Sequence, residues 1–227
     1  SGRMYAAVMP LLAAGGHDVV ALDLPGYGRS HKNPTVRSIP ELAANIREAI
    51  DALGYDAFAL LGGHLSASVA VEIALTDPRV NRLVLDGLLN LNPEEWSVLL
   101  RRFAGQSPMP DPEGRFRQFP FDMVMHTLTE WNPDFRLGAD TLGQVYELLN
   151  DYLEMGLGPM RAFVEPDSAP PAPPYQLAEK LTSLRTPTLI LSAEREPLRP
   201  AFQRSLAAVP NALGHTFPAT HPLVSGR

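Results

Sequence analysis

The stretch LLGGHLSASVAVEIA, residues 60–74, constrains the fold more than any other part of this chain. An apolar run ends in a pair of glycines, and the residues that follow are small and suited to a closely packed helix. A strand, a sharp turn and a helix in so few residues leave one apex residue whose side chain is held clear of the sheet, with the N-terminal amides of the helix beside it. Read in that way, the apex falls on His64.

The rest of the chain repeats the same alternation. Ser38 with Glu41 forms a capping-box pattern, apolar positions recur at Leu42, Ile46, Ala49, Ile50 and Leu53, and Gly54 stands where a helix ends. Continuous apolar runs predict strands from His17 (HDVVALDLPG), over 56–61 and from Arg82 (RLVLDG), with a short helix over 4–14 and another over 66–76. Strands that are apolar throughout and separated by helices imply a parallel sheet covered on both faces, an α/β fold. The alternation stops near Leu88 and resumes near Thr188 (TPTLILSAERE). Between them, helix-like segments over 93–103, 121–131 and 141–155 lead into PDSAPPAPPY, whose prolines suit an extended connector. The expected organisation is a core made of 1–87 and 184–227 with a helical cap, 88–183, inserted into it.

Composition narrows the function classes. With 45% hydrophobic and 19% charged residues and no apolar run near the ~20 residues that span a bilayer, no membrane role is expected. A net charge of -6, with 17 arginines and two lysines scattered along the chain, gives no basic patch for nucleic acid. A small-molecule substrate is the expected partner, the cytoplasm the expected compartment, and the oligomeric state is left open. Cysteine is absent, so thiolate catalysis and cysteine-based zinc sites are excluded.

Taken together, VVALDLPGYGRS, LLGGHLSASVAVEIALTDP, RLVLDG, PTLILSAEREPL and HTFPATHPL occur in the order and spacing that resemble the α/β-hydrolase family, especially its capped esterase, epoxide-hydrolase and dehalogenase-like branches. The resemblance implies an elbow of the form Gly-x-nucleophile-x-Gly, here Gly62, Gly63, His64, Leu65, Ser66, with Ser66 in place of the second glycine. A register two residues later makes Ser66 the nucleophile, with His64 where close approach needs glycine. The resemblance further implies Glu196 as the acid, with Glu194 beside it, His221 as the histidine, and the Leu65 backbone N–H as an oxyanion donor. His215 is a competing histidine, Asp86 a second place where relatives keep an acid, and Asp23 a residue expected to stabilise its own turn. The family's strand and oxyanion loop ahead of the 4–14 helix are not found in the sequence, so N-terminal strands are expected to be missing from the sheet.

An imidazole at the apex leaves several chemistries open. Neutral imidazole attacks directly without a base, although the reach to its nitrogen is longer than to a serine oxygen. Alternatively His64 and His221, backed by Glu196, act as an acid/base pair on water or on a substrate proton. Two histidines and a carboxylate also form a divalent-metal set, but no metal-ligand spacing signals it; no metal and no cofactor are expected. The leading expectation is hydrolysis of a small, largely apolar ester, lactone or related substrate. The alternatives are a non-catalytic binding protein on the same fold and a non-hydrolytic acid/base enzyme.

Overall fold

Ser38 begins the clearest helix. In the computed structural model its hydroxyl accepts the Glu41 N–H at 3.3 Å, the Glu41 carboxylate accepts the Ser38 N–H at 3.0 Å, and α2, Ile39–Leu53, ends on Gly54 at φ 74°. The structure describes residues 1–31, 38–103, 113, 118–155, 175–196 and 198–218. Ahead of α2 lie a 3-10 turn, Gly2–Tyr5, and α1, Met9–Ala14. After it come β1 (Phe58–Gly63), α3 (Leu65–Thr76), β2 (Val80–Asp86), α4 (Pro93–Phe103), α5 (Gln118–Trp131) and α6 (Leu142–Met155). The order closes with α7 (Leu177–Ser183), β3 (Thr188–Ala193), α8 (Arg199–Ala208) and β4 (Leu213–Phe217).

The four strands form one sheet in the order β1-β2-β3-β4, and every pairing is parallel. Parallel neighbours need crossovers, which α3, the α4–α7 segment and α8 supply. α3 lies at the centre. Ala67, Ala70 and Val71 pack with Leu83, Leu85, Ile190, Leu181 and Phe202, while Leu65, Val69 and Ile73 pack with Ile39, Leu42, Ile46 and Ile50 of α2. A helix gripped from both sides must be apolar all round, which accounts for its run of Ala, Val and Ile.

Where the sequence predicts a buried strand from His17, the structure places none. Residues 17–23 have no strand pairing, and Val20 and Leu22 are 45% and 36% exposed. A strand requires a ladder partner for its N–H and C=O groups, and among the described residues no strand is paired with this segment. Its far end is ordered instead by Asp23, whose carboxylate accepts the Gly2 N–H at 2.6 Å and the Arg29 N–H at 2.9 Å. Burial raises the Asp23 pKa, yet these amide donors together with nearby positive charge outweigh it and the net shift is downward.

The inserted helices have a small core of their own, Val124, Leu128, Phe135 and Val145. Their attachment to the sheet is specific: Arg204 of α8 donates through Nε and Nη2 to the Asn90 carbonyl, at 3.0 and 2.8 Å, and pairs with Glu95 at the start of α4. Of the connector PDSAPPAPPY only Tyr175 is among the described residues; its hydroxyl donates to Glu72 of α3 at 3.0 Å.

The C-terminal end of α3 is closed by Asp77, which is buried and accepts from the Arg79 backbone N–H (3.0 Å), Nε (2.9 Å) and Nη2 (2.6 Å). The Arg79 side chain holds the Asp77 carboxyl below its ordinary value, against the opposing effect of burial. A lowered folded-state pKa adds stability above the unfolded value, about 4, and that stability is lost as pH falls through the folded value. Asp77→Asn is therefore expected to destabilise the protein by about 1 kcal/mol near neutral pH, part of the pair being solvent-screened. In urea denaturation series the difference from wild type should close in acid; an equal difference at neutral and acid pH would contradict the assignment.

Candidate active site

Gly62 is the first determinant of the site. A Cβ there would lie 2.3 Å from the Ser66 carbonyl oxygen and 2.8 Å from the Ala67 Cα, so only glycine lets the first turn of α3 lie this close to the end of β1. The chain then has one residue in which to reverse, and that residue is His64, at φ 52° and ψ -114°. Its N–H donates to the Asp86 carbonyl at 2.8 Å, which ties the turn to the end of β2. The His64 side chain is half-buried.

Ser66 lies inside α3. Its hydroxyl accepts the Gly63 N–H at 2.9 Å and donates to the Gly63 carbonyl at 2.8 Å, so it clasps the residue before the apex. Leu65 is the first residue of α3, and its amide belongs to the first turn, where N–H groups have no acceptor within the helix. Tyr5, from the 3-10 turn, reaches the same place: its hydroxyl lies 3.0 Å from where a Gly63 Cβ would be. Burial pushes the Tyr5 phenol up to about 12, so it is neutral across the physiological range.

The two acidic residues after β3 separate. Glu194 is exposed, whereas Glu196 is 5% exposed and accepts the hydroxyl of Ser192, itself fully buried, at 2.6 Å through Oε1. Asp86 is a third acidic residue at this end of the sheet, 4% exposed. His215 lies on exposed β4 and meets Phe217 edge-on at 4.7 Å between ring centroids. His221 lies outside the described residues. Ser192, which holds Glu196, and Tyr5 were not singled out in the sequence. Ser192 carries a weak signal, a polar residue inside an apolar strand; Tyr5 carries none, because its proximity to the turn is tertiary.

A cavity of about 500 Å³ lies elsewhere, between residues 21–31 and α2, lined by Leu22, Asp23, Arg29, His31, Asn45 and Ile46 among others. Neither His64 nor Glu196 is among its lining residues.

The family model described as the alpha/beta hydrolase fold matches residues 1–224. The chain belongs to the α/β-hydrolase family. It is 28% identical over 220 residues to a 2-hydroxy-6-oxononadienedioate/2-hydroxy-6-oxononatrienedioate hydrolase of Pseudomonas putida, a match covering 92% of this chain and 71% of that protein. Among solved structures it is similar to an esterase from Exiguobacterium antarcticum (TM-score 0.76, 16% identity, 96% of this chain and 80% of that one). It is also similar to the enol-lactonase from Burkholderia xenovorans LB400 (TM-score 0.69, 18% identity, 99% and 81%). At those identities the structures show the shared fold. The resemblance in the sequence and the α/β class both hold, and the family makes this α/β-hydrolase a hydrolase. Among the described residues no helix is long and apolar enough to cross a membrane.

The clasp at Gly63 makes a prediction about Ser66. Because its proton is directed to a backbone carbonyl within the turn, a fluorophosphonate probe is expected to leave Ser66 unlabelled in intact-mass and peptide-mapping experiments. Ser66→Ala should cost about 1 kcal/mol of stability through the lost backbone bonds. Labelling that vanishes in Ser66→Ala would show that the serine, and not the histidine, is the reacting group.

Proposed function

We propose that this α/β-hydrolase cleaves a small, largely apolar ester, lactone or related substrate, with His64 standing where the family's nucleophile stands. The observation that carries this reading is the imidazole itself, built on a residue at φ 52° between β1 and α3 and half-buried at the end of the sheet. Backbone strain of this kind persists only where surrounding structure enforces it, and it concentrates at working sites.

A neutral imidazole takes a proton from water as the water oxygen bonds to the carbonyl carbon. The carbon–oxygen bond to the alcohol then breaks, and the proton passes to the departing alkoxide. The Leu65 N–H, at the start of α3, is the proposed donor to the developing oxyanion. Glu196 supplies a buried carboxylate steadied by Ser192, and His221, on its sequence match alone, supplies a second imidazole. Of the inserted segment 88–183, α4, α5 and α6 serve as the proposed cap that shapes the substrate's apolar side, while α7 packs in the sheet core.

Hydrolysis of p-nitrophenyl acetate and a γ-lactone by wild type, His64→Ala and His221→Ala tests the proposal. Each substitution is expected to lower kcat/KM by about 10²–10⁴-fold on the accepted substrate. Activity untouched by either change would overturn the site, and failure to hydrolyse any compound of the panel would favour a binding protein on this fold.

A further inference from the structure

Gly87 follows β2 directly and has φ 59°. The parallel register pairs Gly63 with Asp86, so His64 and Gly87 leave the sheet side by side, each at positive φ. The imidazole rests on the glycine. A Cβ at residue 87 would come within 2.8 Å of both Cε1 and Nδ1 of His64, and 3.5 Å of Nε2. Non-bonded carbon contacts settle near 3.5–4.0 Å, so the space taken by the Nδ1–Cε1 side of the ring is the space a side chain at 87 would need.

We propose that Gly87 is a positioning residue for His64: its bare Cα seats the Nδ1–Cε1 side of the ring and so fixes how the imidazole is turned at the apex. This rests on the reading of His64 as the working group. A serine or cysteine at the apex ends at the γ position and has no ring to lodge. An imidazole rotates about two side-chain bonds and has two distinct nitrogens, so the apex alone does not decide how the ring is turned. The seat removes that freedom, and a glycine there is matched to a ring at position 64. Small displacements matter in such a site, since a misplacement of about 1 Å can lower turnover on the order of 10²-fold.

The test is a double-mutant cycle in the full chain: wild type, Gly87→Ala, His64→Ala and the double variant. Alanine at φ 59° is strained in both backgrounds, and the cycle cancels that strain. Collision with the ring exists only when His64 is present. The proposal expects a larger fall in Tm from Gly87→Ala in the wild-type background than in the His64→Ala background. It also expects long-range proton–nitrogen NMR of ring-labelled protein to show a changed tautomer ratio and titration for His64 alone. Where the wild type hydrolyses an ester, Gly87→Ala should lower kcat on the order of 10²-fold with little change in KM. Equal Tm losses in the two backgrounds, or an unaltered His64 titration in Gly87→Ala, would overturn the seat. Should the wild type hydrolyse nothing, the Tm cycle and the titration still decide the seat, so its failure and that of the hydrolase reading are read separately.

Discussion

The absence of a side chain at Gly62 sets the position of everything else at the site. With the Ser66 carbonyl only 2.3 Å from where a Cβ would stand, α3 begins against the end of β1 and leaves His64 a single residue's length in which to turn the chain. The parallel register then decides what surrounds that turn. Because Gly63 faces Asp86, the apex emerges beside the end of β2, and because β2 in turn pairs with β3, the following loop brings Glu196 to the same end of the sheet.

Strain at the apex is sustained by packing behind it. Holding a residue other than glycine at such a φ costs on the order of 1–3 kcal/mol. Val69, Val71 and Ile73 of α3 are each 2% exposed or less, and burying a side chain of that size is worth roughly 1.5–3 kcal/mol. The helix is held between α2 on one side and the β2, β3 and α7 cluster on the other, so it cannot shift to relax the turn without opening one of the two. The Ser66 hydroxyl adds a local fastening by bonding both backbone groups of Gly63.

Much of this was legible in the sequence where the signal is local. The capping box of Ser38 and Glu41 and the left-handed Gly54 mark α2 to within a residue, and the glycine pair followed by small residues marks the turn with His64 at its apex. The run HDVVALD misled for a physical reason: apolar composition measures a readiness to be buried, but a strand exists only when a neighbour completes its ladder, and residues 17–23 have none among the described strands. The resemblance names Glu196 and not its neighbour Glu194; that Glu196 is buried against Ser192 while Glu194 is exposed is a difference no local sequence signal carries. Gly87 gave no sign, because its importance arises only when a ring from another element comes to lie on it.

The central claim is that the His64 ring is a reactive group presented by a strained turn and not a packed interior residue. Timed modification by diethyl pyrocarbonate, mapped by peptide mass spectrometry on the native protein, measures this directly. His64, although half-buried, should react at least as fast as the exposed His17, His31, His126 and His215, and an added ester substrate should slow it selectively. A His64 that stays unmodified until the protein unfolds, while the four exposed rings react, would contradict the account.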